Sequence, residues 1–247
     1  MINYIKYISL IFVLNSFYFT IAKAKPEDTE IWYPVPPTVE VPVIWDPPSD
    51  AIILFNGEHM NAWQHKDGSK SKWLNINDQM TVNPGTGNLY TKESFSSAQL
   101  HIEWKTPTII NGEGQGRGNS GIFFQKRYEL QILDSYENTT YSNGQAASIY
   151  KQYIPVVNAS KRPGEWQYYD VIFTAPIFDE EENLIKKARM TVFHNGVLVH
   201  NNVTLKGTTV YNGQPEYEYH PPEQPIMIQD HNNPIVFRNV WIRKLRE

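Results

Sequence analysis

Most of the chain after residue 50 consists of short runs of β-type sequence, and this pattern limits the folds that it can adopt. In residues 99–106, QLHIEWKT, apolar and polar side chains alternate, as in a strand with one buried face. Asn195 and Gly196 lie between two such runs and favour the type I′ turn of a β-hairpin. Residues 231–234, HNNP, lie between two further runs and predict a second hairpin.

Helical periodicity of useful length is missing from the sequence, and no repeat of propeller-blade length is visible. Many short strands without alternating helices indicate two antiparallel sheets packed as a sandwich or closed as a barrel. We therefore expect an all-β domain over residues 51–247.

Residues 1–24 have the features of a secretory signal peptide. Lys6 precedes an apolar run at residues 8–22, and the sequence Ala-Lys-Ala at 22–24 matches a cleavage site with small residues. The run is shorter than the ~20 residues of a spanning helix, which leaves an uncleaved anchor as the alternative. The sequence predicts an exported chain, periplasmic or extracellular, that is free of the membrane after cleavage.

Residues 25–50 contain seven prolines, too many for a helix or a central strand. Aromatic and aliphatic side chains, among them Trp32 and Trp45, are interspersed with these prolines. This composition favours an extended arm laid over the surface of the domain rather than a flexible linker.

The residue composition excludes several classes of protein. The chain has no cysteine, so it forms no disulfide, uses no thiolate and is not a lipoprotein. Its net charge is −4 and its basic residues are scattered, so nucleic acid is not an expected partner. The 15 tyrosines and 7 tryptophans suit sugar binding, although filling of a sheet core accounts for most of them.

Residues 116–121, GRGNSG, match the formal pattern G-x-G-x-x-G. A dinucleotide-binding loop needs a strand before it and a helix after it. Here a glycine-rich loop precedes the motif and a β-type run follows it. We interpret the glycines as a rim loop and not as a nucleotide site.

Polar side chains interrupt the apolar run at residues 128–134, YELQILD. In a strand, Glu129 and Gln131 share one face, and Leu130 and Ile132 share the other. Asp134 falls on the apolar face unless a β-bulge just before it restores it to the polar face. The polar face could look onto solvent, or it could line a groove in which Glu129 and Gln131 meet a ligand.

Glu129, Gln131 and Asp134 resemble a variant of the E-x-D-x-x-E strand of laminarinase-like glycoside hydrolases, which have a concanavalin A-like jelly roll. In that family the first glutamate is the nucleophile and the last is the acid/base. The sequence differs from the pattern at the second and third positions, whereas a retaining glycosidase needs two carboxyl groups about 5–5.5 Å apart. A conventional endo-glycosidase is therefore one alternative function.

A longer resemblance covers nearly all of the chain after the signal peptide. It is to the DUF1080 family, also called the 3-keto-disaccharide hydrolase domain, and it implies a related jelly roll that acts on glycosides oxidised at C3. The segments that carry it are LFNGEHMNAW (54–63), GNSGIFF (118–124), RYELQILDSY (127–136), GEWQYYDVIF (164–173), NGVLVHNN (195–202) and IQDHNNPIVFRNVWIRKL (228–245).

The chemistry of a 3-keto-glycoside explains a set of site residues without two matched carboxylates. The ketone acidifies the proton on C2, and a single base can remove it. The enolate then expels the C1 substituent, and addition of water completes a net hydrolysis. This route needs one base, donors to the enolate oxygen and an acid for the leaving group.

Four residues are candidates for this chemistry. Glu129 is the expected base or a metal ligand, and Gln131 is expected to donate to the enolate oxygen or to a sugar hydroxyl. His231 could transfer protons, bind a metal, or make only a local hydrogen bond in its turn. Asp134 is a candidate if the bulge exists.

Further residues are candidates for holding the substrate or an ion. Arg117 and Asn119 could contact the ketone or hydroxyl groups, and Tyr150 and Trp166 could stack on a sugar, with core packing as the alternative for Trp166. No cofactor is expected with certainty, but Glu129 and His231 could share a divalent ion. Asp230, Asn232 and Asn233 could suit calcium. A non-catalytic carbohydrate-binding jelly-roll module remains the second alternative function.

Overall fold

The structure, a computed structural model, describes residues 24–35 and 47–245, and antiparallel β-strands form most of it. The predicted two-sheet β-sandwich is confirmed. The strands are β1 (Ile52–Phe55), β2 (Trp63–Gln64), β3 (Leu74–Ile76), β4 (Gln79–Thr81), β5 (Leu89–Thr91), β6 (Ala98–Lys105), β7 (Ser120–Phe124), β8 (Tyr128–Ile132), β9 (Gln167–Thr174), β10 (Ile177–Phe178), β11 (Leu184–Lys186), β12 (Arg189–His194), β13 (Val197–Thr204), β14 (Met227–Ile228) and β15 (Val236–Lys244). Three short 3₁₀ helices cover Pro26–Thr29, Gly114–Gly116 and Ser142–Gly144.

The larger sheet has the order β13-β12-β9-β6-β15-β4-β3, and β1 also pairs with β15. The long strands β6, β9 and β15 lie at its centre. Along β6 the apolar residues Leu100, Ile102 and Trp104 are buried, as the alternation in the sequence predicts. The inward faces of these strands form one side of the core.

The smaller sheet has the order β2-β5-β14-β7-β8 and supplies the other side of the core. Leu130 and Ile132 of β8 are fully buried on its inner face. Phe124 of β7 stacks on Phe173 of β9 with ring centroids 4.8 Å apart, which ties the two sheets together. Because the side chains of a strand alternate between its two faces, Glu129 and Gln131 point away from this core.

One predicted hairpin is confirmed and the other is wrong. Asn195 and Gly196 connect β12 and β13 with φ values of 53° and 79°, the positive values that a type I′ turn requires. Residues 231–234, by contrast, connect β14 in the smaller sheet to β15 in the larger one. This connection therefore crosses between the sheets, and His231 lies at the crossing.

The N-terminal region is described in part. The signal peptide predicted at residues 1–24 lies, apart from Ala24, outside the described residues, and so do residues 36–46 of the arm. Residues 30–35 follow the Pro26–Thr29 turn without regular structure and contact the loop at residues 141–151. Within residues 24–35 and 47–245, no helix has the length and apolar character needed to span a membrane.

Candidate active site

A cavity of about 670 Å³ opens on the face of the smaller sheet that points away from the core. Its floor contains Phe123, Glu129 and Gln131, from the paired strands β7 and β8. Loops from distant parts of the chain form its walls and bring Asn119, Tyr150 and other polar residues to the floor. The polar face of β8 therefore lines a groove and does not look onto bulk solvent.

Glu129 lies at the floor of this cavity and is 5% exposed. Backbone hydrogen bonds fix its position, because its N–H donates to Thr209 Oγ1 (3.0 Å) and its carbonyl accepts from the N–H of Tyr150 (3.2 Å). Within the described chain its carboxylate accepts no hydrogen bond. Burial without such a partner raises the pKa of Glu129 to about 8.

The amide nitrogen of Gln131 is engaged inside the fold, which leaves only its oxygen for a ligand and corrects the expectation that Gln131 donates to the ligand. Its Nε2 donates to Gln115 Oε1 (3.0 Å) and to the carbonyl of Gly144 (3.2 Å). The carbonyl of Gly144 can only accept, so it fixes which end of the amide is the nitrogen. Gln131 Oε1 is buried without a hydrogen-bond donor among the residues described.

Asn119, in the cavity wall, also has its amide nitrogen engaged and, among the described residues, its amide oxygen without a donor. Its Nδ2 donates to the carbonyl of Gln115 (2.7 Å), and its backbone N–H donates to Asn233 Oδ1 (2.6 Å). Its Oδ1 is buried and has no donor in the described part of the chain. A buried oxygen without a donor is costly, so both amides are suited to a ligand that carries hydroxyl groups.

Tyr150 and Tyr141 form a hydroxyl pair in the cavity wall, with 2.6 Å between their oxygens. Burial raises the pKa of Tyr150 to about 12, and it raises the pKa of Tyr141 further. Both phenols are therefore neutral at physiological pH. Only one hydroxyl can donate within the pair, so the pair retains one proton that can be donated to a ligand.

His231 lies in the cavity lining but is exposed. It therefore shares the cavity with Glu129, a placement that the sequence left open. The neighbouring Asp230 is engaged in the turn, because its carboxylate accepts from the backbone N–H groups of Gly87 and Asn232, both at 2.9 Å.

Few potential metal ligands lie close to one another in the described part of the chain. In residues 24–35 and 47–245, no three side chains of histidine, cysteine, aspartate or glutamate are grouped as metal ligands. Asn233 Oδ1, one of the oxygens expected to bind calcium, instead accepts from Asn119. An ion shared by Glu129 and His231 would need further oxygen ligands, and the amide oxygens of Gln131 and Asn119 have no donor among the described residues.

Arg117 and Asp134 lie in a neighbouring cavity of about 520 Å³ and not in the cavity of Glu129. Strand β8 ends at Ile132, and beyond it the N–H of Asp134 is shared between the carbonyls of Arg117 (3.3 Å) and Gly118 (3.1 Å), but Asp134 is not among the residues that line the cavity of Glu129. Arg117 Nε donates to Asp134 Oδ2 at 2.7 Å. The guanidinium also donates to the carbonyls of Tyr136 and Glu137, which satisfies it inside the fold.

Trp166 is also outside the Glu129 cavity. Its ring packs against two cationic side chains of the larger sheet, with Arg238 Cζ 4.0 Å and Lys105 Nζ 4.7 Å from the ring centroid. A stacking role on a sugar in this cavity is therefore not supported by its position.

Several cavity residues were not predicted from the sequence. Tyr141 and Tyr211 come from loops, and Glu30 comes from the N-terminal arm. The two tyrosines lie in segments rich in turn residues, which is a weak signal for a rim. No sequence pattern connects Glu30 to a strand that begins about one hundred residues later.

A β-sandwich with a buried acid and unpaired amide oxygens in one cavity has the features of a carbohydrate-active protein. The chain belongs to the family described as the 3-keto-alpha-glucoside-1,2-lyase-like domain, whose model matches residues 50–243. The DUF1080 resemblance is thereby confirmed.

Solved structures agree with this assignment. The chain is 46% identical to a candidate glycosyl hydrolase of Parabacteroides distasonis ATCC 8503, with a TM-score of 0.79 over 89% of this chain and 96% of the other. A second candidate glycosyl hydrolase of the same organism is 18% identical, with a TM-score of 0.59 over 80% and 94% of the two chains, and it shows the shared fold. The comparison with curated proteins yields no match.

Proposed function

We propose that the protein cleaves 3-keto-glycosides by elimination across C1 and C2, followed by addition of water. The observation that carries this proposal is the carboxyl group of Glu129, which is buried in the cavity, lacks a hydrogen bond among the described residues and has a pKa raised to about 8. A single carboxyl group of this kind suits proton abstraction beside a ketone. The second carboxyl group expected for a conventional glycosidase, that of Asp134, is paired with Arg117 in another cavity.

Glu129 is the base in this mechanism. Its carboxylate takes the proton from C2, and the electron pair of the C2–H bond forms the enolate with the C3 carbonyl. The enolate then re-forms the ketone as the C1–O bond breaks, leaving a C1=C2 double bond. Water adds its oxygen to C1 and gives up one proton to His231, which has protonated the leaving group, and the protonated Glu129 returns its proton to C2.

Other cavity residues support these steps. The hydroxyl of Tyr150 is the proposed donor to the C3 oxygen while it carries negative charge, since Tyr150 is neutral and adjoins Glu129 through a backbone hydrogen bond. Gln131 Oε1 and Asn119 Oδ1 accept hydrogen bonds from sugar hydroxyls, which fills their unmet capacity. The exposed His231 supplies the proton to the leaving group.

A carbohydrate-binding module without catalytic activity is the second candidate. The two unpaired amide oxygens favour it as much as they favour an enzyme, because they account for binding and not for bond cleavage. The high pKa of Glu129 favours the enzyme, because a binding module gains nothing from a buried acid without a partner.

The test compares a 3-keto-disaccharide with its unoxidised parent. We expect release of product from the keto form only, and a loss of at least about 1000-fold in kcat in Glu129→Gln. Turnover of both sugars at similar rates would instead support a conventional glycosidase, and binding without turnover would support a binding module. Assays with and without a chelator test whether Glu129 and His231 share a divalent ion.

We also propose that the protein is exported, on the basis of the signal-peptide features of residues 1–24. Sequencing the N-terminus of the protein recovered from outside the cytoplasm should give Lys25 as the first residue. An N-terminus at Met1 would contradict the proposed cleavage.

A further inference from the structure

The N-terminal arm is fastened to the loop at residues 141–151 by a dense set of hydrogen bonds. The buried side chain of Asn143 grips the arm with both ends of its amide, since Nδ2 donates to the carbonyl of Thr29 and Oδ1 accepts from the N–H of Ile31, both at 3.0 Å. The N–H of Ser142 donates to the carbonyl of Ile31 (2.7 Å), and its hydroxyl donates to the carbonyl of Trp32 (2.5 Å). The arm is therefore held on both sides of residue 30.

Two further contacts extend this attachment towards the cavity. Lys151 Nζ donates to the carbonyl of Pro26 at 2.8 Å. The ring of Trp32 meets the ring of Tyr141 edge-on, with centroids 6.2 Å apart, and Tyr141 in turn pairs with Tyr150. The arm thus supports the tyrosine pair that forms part of the cavity wall.

The side chain of Glu30 completes the wall at this position. It lines the same cavity as Glu129 and is half-buried. Within the described residues its carboxylate has no hydrogen bond and no ion pair. Thr29 and Ile31 face Asn143, and the residue between them in this extended segment points the other way.

The charge of the wall limits the ligand. The described residues that line the cavity include Glu30 and Glu129 but no lysine or arginine. Lys151 lies behind the rings of Tyr141, Tyr150 and Tyr211, and its Nζ donates to the carbonyls of Pro26 and Tyr211. A carboxylate such as that of Glu30 only accepts hydrogen bonds, whereas Glu129 is mostly protonated at pH 7 because its pKa is raised to about 8. The free ends of the Gln131 and Asn119 amides are also acceptors. Such a lining suits a neutral ligand rich in hydroxyl groups and disfavours sugars that carry a carboxylate.

We propose that Glu30 is a substrate-binding residue whose carboxylate accepts hydrogen bonds from ligand hydroxyls, so that the docked arm is part of the binding site and selects neutral over acidic sugars. This inference rests on the proposed carbohydrate function of the cavity. It goes beyond the family assignment, because residues 24–35 lie outside the segment that matches the family model.

The test measures binding in the Glu129→Gln background, in which turnover is removed. The probes are the 3-keto derivative of the neutral disaccharide trehalose and an analogue in which one sugar carries a carboxylate. Adding Glu30→Gln should raise the Kd for the neutral probe about tenfold, the effect of losing one charge-assisted hydrogen bond at a half-exposed site. The same change should reduce the preference for the neutral probe over the acidic one.

Glu27→Gln is the matched control, because it removes the same charge from an exposed position of the arm outside the cavity lining. It should change neither Kd by more than about twofold. Asn143→Ala releases the arm together with its support of the tyrosine pair, so it should weaken neutral binding at least as much as Glu30→Gln. Adding Glu30→Gln to Asn143→Ala should weaken binding no further. Retention of the melting temperature in Glu30→Gln shows that the fold is intact.

An unchanged Kd in Glu30→Gln, or no binding of either probe to the parent protein, would overturn the inference. Turnover separates it from the proposed function. If the chain with Glu129 intact fails to cleave the keto sugar while Glu30→Gln still weakens binding, the elimination mechanism fails and the role of Glu30 stands. If the chain cleaves the keto sugar but Glu30→Gln binds normally, the elimination mechanism stands and the role of Glu30 fails.

Discussion

The carboxylate of Glu129 occupies the space that a side chain at Gly121 would need. A Cβ atom at position 121 would lie 2.6 Å from Glu129 Oε1 and 3.0 Å from the ring of Phe123. Gly121 belongs to β7 and pairs with Gln131 of β8, so it lies diagonally across from Glu129, and the absence of a side chain there leaves room for the acid on the cavity floor. The glycine of the apparent nucleotide motif therefore has a role in shaping this site.

We expect Gly121→Ala to displace the Glu129 carboxylate and to lower kcat/KM for a 3-keto-glycoside about 100-fold. Overpacking of this kind should also cost about 1–3 kcal/mol in the free energy of unfolding. Steady-state kinetics and denaturant titration measure the two effects. Shortening the acid with Glu129→Asp in the same background should restore stability without restoring activity, and failure to regain stability would show that the clash lies elsewhere.

The pH dependence of activity should reveal the role of Glu129. With a pKa of about 8, only about a tenth of the carboxyl groups are ionised at pH 7. If Glu129 is the base, kcat/KM should rise about tenfold per pH unit below pH 8 and level off above it. A fall in kcat/KM over the same interval would identify Glu129 as an acid instead.

The stability of the protein should also depend on the ionisation of Glu129. Its pKa in the folded state lies above the ordinary value of 4.5, so the folded protein holds this proton more tightly than the unfolded chain does. Burial of the group therefore costs little below pH 4.5, and the cost grows as the pH rises to about 8. At pH 8 it should reach roughly 4 kcal/mol at most.

Replacement of Glu129 by glutamine should remove this cost. The melting temperature of Glu129→Gln should exceed that of the parent protein at pH 8 and equal it near pH 4.5, as measured by calorimetry at both values. Glu27→Gln, which neutralises an exposed glutamate, should show no such difference. Equal melting temperatures for Glu129→Gln and the parent at pH 8 would contradict the buried, unpaired state of Glu129.

The ion pair between Arg117 and Asp134 should matter for stability and not for catalysis. Asp134→Asn leaves the buried guanidinium without its charged partner and should cost about 3 kcal/mol. In the folded protein, kcat/KM should stay within about threefold, because Asp134 lies outside the Glu129 cavity. A 1000-fold loss of kcat/KM without loss of stability would show that Asp134 takes part in the reaction.

The sequence was informative where structure depends on neighbouring residues. Alternation of polar and apolar residues predicted the buried face of β6 and the polar face of β8 with Glu129 and Gln131. The pair Asn195-Gly196 predicted a hairpin because its turn needs two positive φ values. Each of these features follows from backbone geometry over a few residues.

Predictions failed where a residue's position depends on distant pairing. The run at residues 231–234 looks like a hairpin turn, but the flanking strands find better partners in different sheets. Asp134 was a candidate only if a bulge preceded it, and Arg117 could have contacted the ligand, but the structure places both in a neighbouring cavity, where they pair with each other. The donor role expected of Gln131 failed because Gly144 and Gln115, both from loops, take up its nitrogen.

The sequence by itself determined that the chain forms an all-β sandwich and that Glu129 and Gln131 share a polar strand face. It also brought His231, Asn119 and Tyr150 into consideration as candidates. Only the tertiary structure decided that these residues share a cavity, that Asp134 does not, and that Glu30 joins them from the arm. The physical reason is that strand alternation is a local property, whereas a cavity wall is built by loops whose contacts join residues as far apart in the sequence as Pro26 and Lys151.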